Sequence, residues 1–346
     1  MAAQVKLVQS ASTRILGSRA WLLPGLFLCL LLLGVLLLWS ITLGAADITP
    51  QVVYTALFHY DATQFDQLII QTVRLPRVLA GVIVGAALAV AGAIMQGLTR
   101  NPLADSGLLG INAGAAFAVV LAITLLDTPS LSLYTVAALI GAGVAAVFVY
   151  GIGALGGGAT PLRLTLAGVI FTAFISSITT AILIQNQETL EQIRFWTAGS
   201  LAGRDFAIIA QTVPLIAVGL GAALLISRQI TTISLGEDVA AGLGQNTLIV
   251  KLVAALAVVL LAGGAVALAG PIGFVGLVIP QVARFLVGAD YRWIIPYSAL
   301  IGGMLVTLAD VAARVILRPL ELPVGVMMAL AGAPFFIYLA RWKVRR

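Results

Sequence analysis

Charge is scarce in this chain. Asp, Glu, Lys and Arg make up 9% of its 346 residues, against about 25% in a soluble domain. Hydrophobic residues reach 61% and the mean hydropathy is +1.12. Together these exclude a soluble globular protein, and no polar stretch is long enough to form a separate domain. The net charge of +6 is therefore informative through its sidedness, and no nucleic-acid partner is implied. A single cysteine, Cys29, lies inside an apolar run, which excludes an intrachain disulfide. A single histidine, His59, excludes a Cys/His metal cluster. Gly156-Gly157-Gly158 is followed by no lysine, so the chain lacks the loop that cradles ATP phosphates. No H-E-x-x-H, Ser/His/Asp set or buried carboxylate pair is present. The chain is not expected to be an enzyme, and no cofactor or metal is expected.

Long apolar runs fill the space that charge leaves. The first, Trp21–Leu43, follows a polar segment carrying Lys6, Arg14 and Arg19. Basic residues ahead of an apolar run also describe a signal peptide, and Gly44-Ala45-Ala46 resembles a cleavage site. The run is too long for an ordinary signal core, so it is expected to be an uncleaved first span. Nine further spans are expected at about 77–98, 107–126, 132–153, 162–185, 205–228, 247–269, 272–288, 293–314 and 323–341. The fold class is all-α, a single transmembrane permease domain of about ten helices. Ten spans put both termini on one side.

Charge orients this layout. The side of the termini takes 13 of the 19 basic residues with only 4 acids, and the other side 6 basic and 9 acidic residues. The positive-inside trend puts both termini, and residues 1–20, in the cytoplasm.

Gly81-x-x-x-Gly85 and Gly110-x-x-x-Gly114 are patterns that let helix backbones approach closely. Ala87-Leu88-Ala89-Val90-Ala91-Gly92 is echoed by Val266-Ala267-Leu268-Ala269-Gly270 five spans later, the spacing of an inverted repeat. Acids and bases lie mainly at span ends, which argues against an ion-coupled carrier. In the fifth span Thr165, Thr172, Ser176 and Thr179 share one helix face, with Gly168 beside them. Two readings stand: the hydroxyls bond their own backbone or a neighbouring helix, or they line a wet passage. Arg74-Leu75-Pro76-Arg77 and Arg314 lie at outer span ends, against the positive-inside trend. They either snorkel to the interface or meet carboxylates of an external partner.

Between the sixth and seventh spans lies Ser234-Leu235-Gly236-Glu237-Asp238-Val239-Ala240-Ala241-Gly242-Leu243-Gly244. Ser234 and Glu237 have capping-box spacing, and Asp238 suits a first helical turn. Leu235, Val239 and Leu243 would form one apolar ridge. The spacing predicts a short capped amphipathic helix beside the membrane. It either rests on headgroups or is a knob offered to a soluble partner.

The motifs together resemble the FecCD/BtuC-type permeases, the membrane subunits of ATP-driven importers for ferric siderophores, haem and vitamin B12. The marks are Arg74-Leu75-Pro76-Arg77, Met95-Gln96-Gly97, Asn101-Pro102-Leu103-Ala104 with Leu108-Leu109-Gly110, Phe195-Trp196-x-x-Gly199-Ser200-Leu201, Gly270-Pro271-Ile272-Gly273-Phe274 with Pro280 and Arg284, and Glu321-Leu322-Pro323-Val324-Gly325. Gln281 departs from the pattern, which often has histidine there. The resemblance implies an inverted-repeat permease fold in the bacterial inner membrane. It implies two permease subunits, here expected to be identical, two ATPase subunits, a periplasmic binding protein and lipid as partners. It implies a passage lined by the fifth helix, a cytoplasmic gate at Thr160-Pro161-Leu162, and ATPase coupling through residues 231–246, centred on Ser234–Gly244. It implies that Arg74, Arg77 and Arg314 meet glutamates of the binding protein. The Asn-Pro-Leu-Ala and Leu-Leu-Gly-Ile-Asn stretches lean toward the siderophore members. Haem or cobalamin is the alternative cargo, and an ion-coupled secondary carrier the alternative class.

Overall fold

The computed structural model describes residues 19–44, 48–126, 130–155, 160–318 and 320–344. Most of the N-terminal polar segment, residues 45–46 of the cleavage-like motif and the Gly156–Gly158 run lie outside the described residues. The described residues form helices: α1 Leu22–Thr42, α2 Pro50–Phe58, α3 Phe65–Ile69, α4 Leu75–Thr99, α5 Ile111–Leu126, α6 Leu131–Ala154, α7 Pro161–Gln185, α8 Gln187–Thr197, α9 Phe206–Leu225, α10 Ser227–Leu235, α11 Glu237–Gly242, α12 Thr247–Ala269, α13 Val275–Val287, α14 Tyr291–Val315 and α15 Val324–Val344. A π-helical turn, Ile70–Arg74, joins α3 to α4 into one helix. Among the described residues seven helices are long and apolar enough to cross a membrane, and three shorter apolar ones accompany them. These ten coincide with the ten expected spans.

Small residues decide the packing. α4 lies at the centre, against α14, α12 and α13, and Ala87–Met95 are buried throughout. A β-carbon at Gly85 would overlap the Gly302 carbonyl on α14, and one at Gly92 would overlap Gly276 on α13. Backbone therefore meets backbone at these crossings, where dispersion contact substitutes for the weak hydrophobic drive between helices in lipid. Gly114 meets Gly141 of α6 in the same way. Gly110 does not: at φ 70° it ends a short 3-10 turn, Ser106–Leu109, and its conformation is the reason for glycine there.

The two echoed segments are both buried, and the helices that carry them, α4 and α12, pack on each other. Their partners correspond as well, since α4 packs on α14 and α12 on α6, and α6 and α14 are themselves five spans apart. α13 is only 13 residues long, about 20 Å, too short to cross a ~30 Å core. It starts in the interior, because Gly276 already faces Gly92, deep along α4. Three connections meet near that start. Ser200 N donates to the Ala269 carbonyl at 2.8 Å, and Gly325 N donates to the Gly199 carbonyl at 3.0 Å.

Candidate translocation and coupling site

α7 is, with α1, the least enclosed of the long spans. Thr160 caps its start by accepting from Arg163 N at 3.4 Å, with Pro161 in the first turn, where a missing N–H costs nothing. Leu162, the third residue expected in the gate, is exposed. Of the hydroxyl stripe, Thr165, Thr172 and Thr179 are half-buried and Ser176 is exposed. The stripe thus runs along one border of the open face of α7. Thr179 Oγ1 donates to the Ile175 carbonyl at 2.8 Å, and neighbouring Ser177 bonds Ala173 in the same way. These hydroxyls satisfy themselves on their own helix, which lets the face contact either water or apolar surface. Gly168 is a correction. It is buried, and a β-carbon there would overlap the Leu108 carbonyl. It belongs to the packing face and not to a passage wall.

The segment between α9 and α12 departs from the expected single capped helix. Ser234 lies inside α10, and its Oγ donates back to the Thr231 carbonyl at 2.6 Å. Gly236, at φ 138°, breaks the chain, and α11 starts at Glu237 without a side-chain cap. The capping box is absent because the upstream residues are already helical through Leu235. Leu235, Val239 and Leu243 are 70%, 48% and 72% exposed, so three apolar side chains stand free across two helices. Glu237 pairs with Lys251 of α12, and Asp238 is exposed. Ala240 is fully buried beside Ile233 and Val250, and Gln245 ties α11 to the Gln229 carbonyl at 3.2 Å. Gly244, at φ 80°, turns the chain toward α12. A cavity of about 60 Å³, lined by Arg100, Tyr150, Leu164, Ile233, Glu237 and Lys251, separates this pair from the first turns of α7. The α10–α11 pair and the first turns of α7 therefore border one small space.

The three arginines form a site that differs from the expected one. Arg74, Arg77 and Arg314 are buried, at 7%, 7% and 3% exposure. Arg77 binds Asp310 at 2.9 Å and Glu321 at 2.7 Å, and Arg314 binds the same Asp310 at 3.0 Å. Arg74 donates to the carbonyls of Ile41 and Thr42 at 2.7 and 3.0 Å, and Arg314 to that of Leu43 at 2.6 Å. These are the open carbonyls at the end of α1, which cations complement. The guanidinium groups are turned into the chain's own network instead of outward to a partner. Glu321 stands in the sequence as part of the Glu321–Gly325 mark, and Asp310 belongs to none of the marks. Asp310 lies four residues before Arg314 in an apolar helix, which is a readable signal of an internal pair.

Three further polar features lie inside the bundle or at its edge. Gln281 Nε2 donates to Gln96 Oε1 at 2.8 Å and to the Pro102 carbonyl at 3.1 Å, and Gln96 Nε2 donates to the Gly276 carbonyl at 3.0 Å. The chain joins α4, α13 and the loop after α4. In that loop burial pushes the Asp105 carboxyl up, opposed by backbone N–H groups of Ser106 and Gly107. Arg204, before α9, is 5% exposed with Nε and Nη1 unbonded. Burial lowers it to about 10, partly offset by Asp205.

A bundle of ten apolar helices, pinned by glycine contacts at its centre and carrying exposed short helices at one end, defines a multi-pass membrane permease. The chain belongs to the FecCD transport family, whose pattern matches residues 30–342. It is 48% identical to the iron(3+)-hydroxamate import system permease protein FhuB of Bacillus subtilis (strain 168) over 96% of this chain and 86% of that protein. It is 43% identical to the ferric enterobactin transport system permease protein FepD of Escherichia coli (strain K12), over 95% and 97% of the two chains. A solved metal-chelate type ABC transporter in an inward-facing conformation superposes with a TM-score of 0.79 at 30% identity, covering 91% of this chain and 98% of that one.

Proposed function

We propose that this chain is the permease subunit of a binding-protein-dependent ABC importer that carries ferric siderophores, of the hydroxamate class, across the bacterial inner membrane. The observation that carries this reading is the 48% identity to the iron(3+)-hydroxamate permease over nearly the whole chain. Two copies of the permease assemble with two ATPase subunits and receive cargo from a periplasmic binding protein. Both termini lie in the cytoplasm, as the basic excess favours. The chain conducts and does no chemistry. ATP binding and hydrolysis on the partner subunits push α10–α11, and the exposed Leu235, Val239 and Leu243 are suited to an apolar groove there. The Glu237–Lys251 pair carries that push to α12, and the shared cavity gives the start of α7 room to follow. Thr160–Leu162 then opens and closes the inner end of a passage bordered by Thr165, Thr172, Ser176 and Thr179.

The buried Asp310 is paired with two arginines of this chain, the arrangement of an internal structural pair rather than of an ion-coupling site. The test is ATP hydrolysis by the reconstituted transporter with binding protein loaded in turn with ferric hydroxamate, ferric citrate, haem and cobalamin. Stimulation greatest with ferric hydroxamate is expected. Stimulation by haem or cobalamin alone would overturn the cargo assignment.

A further inference from the structure

α1 and α9 each pack on α14 and leave a gap between them. The gap is a cavity of about 640 Å³, within the range of about 300–1,000 Å³ that encloses a small organic molecule. Every residue lining it is apolar, with Leu23 and Phe27 from α1, Leu220 and Leu224 from α9, and Pro296 and Ala299 from α14. In each wall these two residues stand one turn apart on one helix face, so the gap runs lengthwise between the helices. The Tyr297 hydroxyl donates to the Leu22 carbonyl at 2.8 Å. That bond pins the start of α1 to α14 and fixes one side of the gap.

The gap has the depth of one leaflet. On α1 its lining runs from Leu23, the second residue of the helix, to Leu30, which lies about 12 Å from the helix start. Half of the hydrocarbon core is about 15 Å. The α9 wall likewise lies in the last turns of that helix, which ends at Leu225. An occupant therefore enters at one face of the membrane and stops near its midplane, as an acyl chain does.

Arginines stand at the open end. Arg292 is exposed and lies one turn before Pro296 on the same face of α14. It shares its guanidinium with Asp290 at 2.6 Å. Arg228, four residues after Leu224 and second in α10, is exposed and pairs with no carboxylate among the described residues. Arg19 opens the 3-10 turn that leads into α1. Trp21, just ahead of α1, is 62% exposed, the placement that tryptophan takes at headgroup level.

We propose that the gap between α1, α9 and α14 is a binding site for an anionic phospholipid of the surrounding membrane. One acyl chain lies along Phe27 and Ala299, and the phosphate meets Arg228 and Arg292. Basic residues at the end of a gap between spans select acidic headgroups, whereas a zwitterionic lipid would bring its own cation to the arginines. The inference needs only a bilayer around the bundle and stands whatever cargo the chain carries. Because Arg228 opens α10, the bound lipid also braces the start of that helix.

The test uses the transporter purified with its ATPase subunits and stripped of lipid. It is given phosphatidylglycerol carrying a photoreactive group on one tail, or phosphatidylcholine with the same tail, and the adducts are mapped by mass spectrometry. Adducts are expected to concentrate on residues 22–30, 220–225 and 295–300. Phosphatidylglycerol should lead by about tenfold, since each basic residue beside an acidic headgroup adds about fivefold and Arg292 is shared with Asp290. Arg228→Gln/Arg292→Gln is expected to remove that lead and leave the adducts in place. Leu224→Trp, which fills the gap from a half-exposed position outside the core, should lose the adducts of both lipids. Adducts spread evenly over the lipid-facing spans mark an ordinary lipid annulus and overturn the proposal. Equal labelling by the two lipids overturns it too. So does a disulfide between two copies of Phe27→Cys in a Cys29→Ser background, since a second copy of the chain would then cover the gap.

Discussion

Arg77 and Asp310, 233 positions apart, meet in a two-pronged contact at 2.9–3.1 Å with both side chains under 10% exposed. That contact closes one end of the bundle, since it ties α4 to α14 and, through Arg314, both to the end of α1. A buried pair adds little over an apolar substitute, but removing one partner strands the other charge. Asp310→Ala removes the carboxylate that Arg77 and Arg314 share, leaving Arg314 with no acidic partner, and is expected to destabilise the protein by about 3–5 kcal/mol. Glu321, whose side chain is 35% exposed, is expected to cost at most about 1 kcal/mol as Glu321→Gln. Thermal melting in detergent separates the two, and a wild-type melting point for Asp310→Ala would contradict this account of the cluster.

Ser234 distinguishes the observed break at Gly236 from a capping box. Loss of a true serine cap costs about 0.5–2 kcal/mol. Because Ser234 only bonds back to Thr231, Ser234→Ala is expected to fall within about 0.5 kcal/mol of wild type. Gly236→Ala should be the harsher change, since φ 138° disfavours any side chain. Hydrogen exchange over residues 231–246 measures both.

The Glu237–Lys251 pair predicts a charge-swap result. Glu237→Lys should leave two cations facing each other and uncouple ATP hydrolysis from the binding protein. Glu237→Lys combined with Lys251→Glu should restore much of the coupling. The readout is ligand-stimulated over basal hydrolysis, and failure of the double variant to recover would show that the pair does not carry the stroke.

Asp105 gives a pH dependence with a definite sign. Its folded-state pKa is raised by burial, so the folded protein binds that proton more tightly than the unfolded chain. The group therefore costs no stability below its unfolded pKa. Its cost grows as pH rises toward the folded pKa and is constant above it. Asp105→Asn is expected to raise the melting temperature at pH 7.5, with the gain shrinking toward pH 4. A gain that grows as pH falls would contradict the assignment.

Much of this fold was legible because span length and hydropathy are local properties of the chain. The ten apolar runs needed only composition, and the Ala87–Gly92 echo was visible for the same reason. What escaped depends on residues far apart. Charge sidedness brought out Arg77, yet nothing near it in sequence announces Asp310. Gly168 shares helical spacing with the hydroxyls, but its facing depends on a loop carbonyl at Leu108. Ser234 and Glu237 carry a valid capping pattern that lost to a helix already running through Ser227–Leu235. α2 and α3 were overlooked because they are too short and mixed to register as spans.

Thiol labelling separates the two faces of α7. In a Cys29→Ser background, Ser176→Cys in the assembled transporter should react with a water-soluble maleimide, and Gly168→Cys, packed on Leu108, should not. Equal reactivity at both positions would contradict the assignment of faces.

The most direct test of the whole account is uptake. Proteoliposomes holding this chain and its ATPase subunits, with ATP enclosed on the ATPase side and binding protein on the other, are given radiolabelled ferric hydroxamate. Accumulation is expected only with both ATP and binding protein, and it should persist when a protonophore and a sodium ionophore collapse every ion gradient. Accumulation without ATP that disappears with the gradients would make this chain an ion-coupled carrier and contradict the account.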